Sequence, residues 1–256
     1  MPRRAACRWG CYYTRRRNRL QSVALQYEPL PNELSLHSVI DMVLTTLDSR
    51  DPYTFEHSYR VAGLAEILAE AMSLTADQHR IVHYAAHLHD IGKIGVSDKA
   101  LNKPGKLTDE EMLELQSHSV LGYAILRKTP EFVALAKIVR HHHERWDGSG
   151  YPDGLSGTNI PLESRIIGLV DAFDAMTSDR PYRAKKSHAW ALEEVERHAG
   201  TQFCPHCVDI FLSLRSKLKI SQYQSSRTAI SLHHVNVDHQ NLMHSRKVIR
   251  LMAVNE

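Results

Sequence analysis

Long hydrophobic runs are missing from this sequence: nothing approaches the roughly 18 uninterrupted apolar residues that a membrane-crossing helix needs. The basic beginning is followed only by Ser22-Val23-Ala24-Leu25-Gln26-Tyr27-Glu28-Pro29, too short and polar for the centre of a signal peptide. No membrane span is expected, and the expected compartment is the cytoplasm. Cysteine is scarce too, and Cys7, Cys11, Cys204 and Cys207 fit a reduced compartment as readily as a disulfide framework. Segments with the two-residue alternation of a half-buried strand do not recur, and no internal repeat is visible. Acid is absent from residues 1–20, which hold seven arginines, so the net +3 of the chain becomes −4 for the remainder. An acidic body argues against nucleic-acid binding by that body; the basic arm could touch RNA, DNA or an acidic membrane, but a block of like charge reads most simply as disordered.

What is there is helix. At 256 residues the chain can bury a sizeable core in one domain of about 180 residues plus flanks. Residues 1–33 read as the arm, broken by Glu28-Pro29-Leu30-Pro31, and residues 219–256 as a polar, His-rich tail. Between them, 34–218 is expected to form an all-α bundle of about seven helices. Leu36 to Leu47 has helical spacing, and Asp51-Pro52 starts a new helix with Asp as cap. His57, Val61, Leu64, Leu68 and Met72 mark one face of that helix. Thr75-Ala76-Asp77-Gln78 has capping-box form, and Thr108-Asp109-Glu110-Glu111 caps a helix that delivers His118. Helices are also expected over 131–140, 163–177, 189–199 and 206–218.

The chemistry collects around His89-Asp90-Ile91-Gly92-Lys93. The adjacent His89 and Asp90 cannot share one narrow helix face, but both can reach one cluster near a helix end, where Gly92 relaxes the backbone. A carboxylate can bridge two ions while an imidazole caps one, and Lys93, one turn from His89, can aim an ammonium into the same cavity. His57 lies upstream; His118, the run His141-His142-His143-Glu144, Asp171 and Asp174 lie downstream. Imidazole with carboxylate suits iron, manganese or zinc better than calcium or magnesium. Several of these residues fall in otherwise apolar helices, where a buried polar group needs a partner. His83 and His87, also one turn apart, read as structural. Cys204-Pro205-His206-Cys207 as half a zinc site with Cys7 and Cys11 is disfavoured by sequence separation.

His57, His89-Asp90-x-x-Lys93, His118 and His142-His143-Glu144-Arg145-Trp146-Asp147-Gly148-Ser149-Gly150-Tyr151-Pro152 together resemble the HD-GYP family of metal-dependent phosphohydrolases. The likeness continues through Arg165-Ile166, Asp171 to Thr177 and Asp179-Arg180-Pro181-Tyr182-Arg183, covering roughly residues 38–215. The resemblance implies two divalent metal ions, iron or manganese with zinc permitted, held by His57, His89, Asp90, His118, His142, His143 and Asp171. It implies Asp90 as the bridging carboxylate, Lys93 as the catalytic cation, and Arg180 and Arg183 on substrate phosphate. Tyr151 and Pro152 would shape the pocket or a partner face, with Asp174 and Glu144 behind the ligands. The implied reaction is hydrolysis of cyclic di-GMP to linear pGpG, and onward to GMP in some members, by a hydroxide activated between two metals.

Two departures matter. Members with a third metal carry a glutamate one turn before the first histidine; here that residue is Tyr53, so two metals are expected and cleavage to GMP is left open. Phe203-Cys204-Pro205 stands where the family often has Phe-Asp-Pro, a change expected to affect capping more than chemistry. Three rivals stay open: a non-catalytic module that senses the dinucleotide or docks a diguanylate cyclase, a different HD-type nucleotide phosphohydrolase, and hydrolysis of a hybrid cyclic GMP-AMP. A diguanylate cyclase or a receiver domain is the partner implied for the Gly-Tyr-Pro loop, and a homodimer is compatible with the sequence.

Overall fold

The computed structural model describes residues 36–51, 54–179 and 184–216. The arm, the tail, Cys7, Cys11, Tyr53, Arg180 and Arg183 lie outside the described residues, so the readings made on them have no structural counterpart here.

The described residues are all-α. The helices are α1 (Leu36–Asp48), α2 (Thr54–Ala71), α3 (Ala76–Leu88), α4 (Asp98–Leu101), α5 (Asp109–Gln116), α6 (His118–Leu126), α7 (Val133–His141), α8 (Leu162–Thr177), α9 (His188–Arg197) and α10 (Pro205–Ser213). Short 3-10 turns span Ile91–Gly95, Pro130–Phe132 and Gly157–Asn159. Local sequence starts the helices where expected. Thr75 with Gln78, and Thr108 with Glu111, form reciprocal capping boxes at α3 and α5. The face read on α2 is the buried one: His57, Val61, Leu64 and Leu68 all point inward.

Ten α-helical segments are described against about seven expected, and two of the extra segments are local. The helix capped by Thr108 ends at Gln116, and His118 begins another. Ser117 divides them: its N–H is shared between the carbonyls of Leu113 and Glu114, both at 3.1 Å, and its hydroxyl donates to Glu114 O at 2.6 Å. Such three-centre bonding closes a helix end and redirects the chain. The single turn α4 accounts for another segment.

α2 packs against α3 and α8, α3 also against α7, and α6 against α7 and the Ile91–Gly95 turn. Their shared interior holds Leu44, Val61, Leu68, Val82, Ala85, Ile166, Val170, Phe173 and Phe211, all at most 2% exposed. Gly92 serves this packing differently from the expectation. Its φ is not in the left-handed region. Instead, a Cβ there would sit 1.8 Å from His118 O and 2.5 Å from Gly122 N. Glycine is required so that the turn after Asp90 can lie directly on the start of α6. No described helix is long and apolar enough to cross a membrane.

Candidate metal centre

Five elements converge on one buried point. His57 comes from the first turn of α2, His89 from the end of α3, and Asp90 from the following residue, at φ −96° and ψ 5°. His118 opens α6, His142 and His143 follow α7, and Asp171 lies on α8.

Backbone geometry decides which nitrogen each histidine offers. Nδ1 of His89, His118 and His142 lies 2.7, 2.7 and 2.6 Å from the carbonyl three residues earlier, in Ala86, Leu115 and Val139. A carbonyl only accepts, so each Nδ1 carries the proton and each Nε2 presents a bare lone pair. His57 differs: its Nδ1 donates to Asp174 Oδ2 at 2.8 Å and its Nε2 faces Asp171 Oδ1 at 3.2 Å, so without an ion both nitrogens carry protons towards carboxylates and Nε2 is freed when its proton leaves.

The donors form two groups. His118, His142 and His143 make one, and His57, His89 and Asp171 the other; within each, the candidate ligand atoms lie within 4.8 Å of one another. Asp90 stands between them. Its Oδ1 is 3.5 Å from His118 Nε2, and its Oδ2 is 3.4 Å from His89 Nε2 and 3.9 Å from His57 Nε2. One oxygen thus faces each group, as a bridging carboxylate requires.

The fit to cations follows from an unfavourable contact. Nε2 of His118 lies 3.4 Å from that of His142 and 3.1 Å from that of His143. The bare Nε2 lone pairs of His118 and His142 repel at that distance unless a positive charge sits between them, while His143 can meet His118 either as a donor or as a third lone pair. A proton is disfavoured in that role. Burial holds His118 and His142 below the ordinary histidine range, with neighbouring imidazoles adding to it for His142. Burial and His118 bring His143 down to about 4. A metal ion satisfies all three nitrogens.

The other half is more acidic. Burial opposes ionisation of Asp90 and Asp171, but Lys93 and His89 around the first, and His57 beside the second, hold both well below the usual carboxylate range. His57 responds in the opposite sense: burial lowers it, but Asp171 and Asp174 outweigh that and raise it to about 9. Lys93 Nζ lies 2.8 Å from Asp90 Oδ2 and 3.2 Å from Asp51 Oδ2. Burial disfavours its charge, yet the two carboxylates keep the ammonium above the ordinary lysine range.

The supporting residues divide between metal side and loop side. Asp174, 3% exposed, accepts from His57, from Arg60 Nε at 2.7 Å and from the Ser178 hydroxyl at 3.2 Å. Glu144 turns away from the donor groups: its two oxygens accept the backbone N–H groups of Asp153 and Leu155 at 2.8 and 3.0 Å, clamping the Gly-Tyr-Pro loop. In that loop the Tyr151 ring rests on the His143 ring, centroids 4.9 Å apart, and the Tyr151–Pro152 bond is cis. Burial, with Asp90 and Asp171 nearby, raises the Tyr151 hydroxyl above its usual range. Sequence reasoning missed Arg60 and missed Asp51 as a partner of Lys93. Arg60 carries a weak signal, lying one turn from His57 on the same helix face; in the sequence Asp51 reads only as a helix cap.

His83 and His87 stay outside both donor groups. They meet His37, whose Nε2 is 2.8 Å from His83 Nε2, in a cluster between α1 and α3.

The family model described as HD domain matches residues 41–206. A cyclic di-GMP phosphodiesterase of Thermotoga maritima is 37% identical over 208 residues, covering 80% of this chain and 56% of that protein. A 3'3'-cGAMP-specific phosphodiesterase 3 of Vibrio cholerae is 40% identical over 174 residues, covering 68% of this chain and 37% of its own length. The solved structure of a cyclic GMP-AMP specific phosphodiesterase of V. cholerae shares the fold, with TM-score 0.55 and 19% identity, covering 73% of this chain and 52% of that one. The chain spans about half the length of the curated relatives it matches.

Proposed function

Because the chain belongs to the HD-domain family, we propose that its buried centre holds two divalent metal ions, iron or manganese, and hydrolyses cyclic di-GMP to linear pGpG. The observation that carries the reading is the pair of three-donor groups with one Asp90 oxygen turned to each. His57, His89 and Asp171 would hold one ion, His118, His142 and His143 the other, and Asp90 both. Bound there, such ions supply a lowered water pKa and neutralisation of charge on the phosphate.

The chain's own residues do the rest. The carbonyls of Ala86, Leu115 and Val139 fix the tautomers of His89, His118 and His142, and Asp174 orients the His57 ring, before any ligand arrives. Lys93 keeps Asp90 ionised and oriented, and places a buried positive charge where the phosphodiester gains negative charge. Tyr151, lying on His143, forms a wall that sets how closely a base or sugar approaches. Arg180 and Arg183, with the fork geometry suited to phosphate, would grip the second phosphodiester. Tyr53 in place of a carboxylate favours two metals and a reaction that stops at pGpG.

One second reading has its own support: a relative 40% identical is named for 3'3'-cGAMP, so the hybrid dinucleotide is the competing substrate. The test is anaerobic purification, metal analysis, and incubation with each dinucleotide followed by chromatography. Two metals per chain, with faster conversion of cyclic di-GMP to pGpG, would support the reading. Preferential turnover of cyclic GMP-AMP would change the substrate, and GMP as main product would overturn the inference from Tyr53. Metal-loaded protein that binds tightly without turnover would make the chain a sensing module.

A further inference from the structure

Cys204 and Cys207 take no part in the proposed hydrolysis. Cys204 is the N-cap residue of α10, Pro205 occupies its first turn, and Cys207 lies three residues on. Both are free and buried. Residues three apart at a helix start share a face, at a separation that a disulfide can span. Cysteine is a poor helix cap, and Cys204 makes no capping hydrogen bond. Its sulfur has a different neighbour: Arg165 on α8 places Nη1 3.6 Å from Cys204 Sγ. That guanidinium lies over the Trp146 ring, 5.7 Å from its centroid, and its buried Nε has no hydrogen-bond partner.

This setting makes the two thiols unequal. Contact with Cys207, helped by the Arg165 charge, holds the Cys204 thiol below the ordinary cysteine range against the opposing effect of burial. Contact with Cys204, reinforced by burial, pushes the Cys207 thiol up. Unequal thiols suit a nucleophile and its resolving partner. Cys204, 3% exposed, borders a cavity of about 190 Å³ that His142, His143 and Asp171 also line, several times the roughly 30 Å³ share of one water in the liquid and so roomy enough for a small oxidant.

From the paired cysteines on one helical turn, the arginine at one sulfur and the cavity beside it, we propose that Cys204 and Cys207 form a reversible dithiol–disulfide couple oxidised by hydrogen peroxide. The Cys204 thiolate attacks one peroxide oxygen. An S–O bond forms as the O–O bond breaks, and the departing hydroxide takes up a proton as water. The Cys207 thiol then attacks the sulfenic sulfur, the S–S bond forms, and the hydroxyl leaves with the Cys207 proton as a second water. The two thiols lose two electrons and two protons, and the peroxide gains both.

The full chain is treated with hydrogen peroxide, quenched with catalase, alkylated and digested with trypsin. The peptide 198–215 contains Cys204 and Cys207 and no other cysteine. It is expected unalkylated and lighter by two hydrogens, and dithiothreitol should return two alkylatable thiols. In Cys207→Ser the reaction should stop at a Cys204 sulfenic acid that dimedone traps. In the untreated chain, Cys204 alkylation should titrate with a midpoint below the roughly 8.5 of a free cysteine, and Arg165→Gln should slow it several-fold. Two unchanged thiols after peroxide, sulfinic acid without a disulfide, or a midpoint at or above that of free cysteine would each overturn the proposal.

Discussion

Asp174 touches none of the donor nitrogens that face the centre, yet it decides how one of them is presented. It takes the Nδ1 proton of His57 and is itself pinned by Arg60. Replacing it with asparagine keeps the shape and removes the charge. Asp174→Asn is therefore expected to weaken metal binding about 10- to 100-fold with unchanged helix content, read by metal titration and circular dichroism. Affinity equal to the unsubstituted chain would mean that His57 needs no carboxylate behind it. A sharper contrast separates the centre from its surroundings: Asp90→Ala should lose both ions and turnover, while Cys204→Ala should keep both. The donor residues were legible in the sequence because a histidine or aspartate inside an apolar helix is costly without a partner. Arg60 and Asp51 were not legible, because an arginine or aspartate near a helix end is ordinarily just solvated. Only the approach of α8 to α2, and of the Ile91–Gly95 turn to α1, gives these two their partners.

Among the elements, close approach of backbone to backbone fixes the donor spacing. Gly92 lets the turn after Asp90 touch α6, and Gly168 lets α8 approach His142, where a Cβ would lie 2.6 Å from the His142 carbonyl. The first contact spaces Asp90 from His118, the second Asp171 from His142. In Gly92→Ala the neighbour in the way is backbone, so the strain has no cheap release. The expected cost is about 1–3 kcal/mol or more, with a lower urea midpoint and a reduced metal content; an unchanged midpoint would refute the packing account. The clamp on the Gly-Tyr-Pro loop gives a different phenotype. Glu144→Gln exchanges one acceptor for a donor facing the N–H groups of Asp153 and Leu155. It should leave metal content intact and raise KM more than it lowers kcat, as steady-state kinetics would show. Helix existence and the buried face of α2 could be read from caps and periodicity. The division at Ser117 could not, since the run from Thr108 to Leu126 has no Gly or Pro before Gly122 and the break rests on one serine's bonds.

At the scale of the whole molecule, the centre ties stability to pH and to metal together. In metal-free protein, His57 is raised from 6.5 to about 9 by Asp171 and Asp174. That interaction contributes fully below about pH 6.5 and is lost as pH rises through about 9. His118, His142 and His143 are shifted the other way, His143 to about 4. Below about pH 6.5 the unfolded chain binds protons that these buried rings refuse, so their effect destabilises as pH falls towards 4. Chelator-treated protein should accordingly lose stability from this centre on both sides of pH 6.5. Metal changes the alkaline side. An ion among His57, His89 and Asp171 must replace the His57 proton, so binding at pH 7.5 should release about one proton and tighten as pH rises towards 9. Calorimetric titration in buffers of different ionisation enthalpy reads that proton directly; heats independent of buffer would mean His57 is already neutral before the ion arrives. Saturating metal should also raise the melting temperature, and by more at pH 9 than at pH 6.5, because the contribution lost by the empty site is supplied by the filled one.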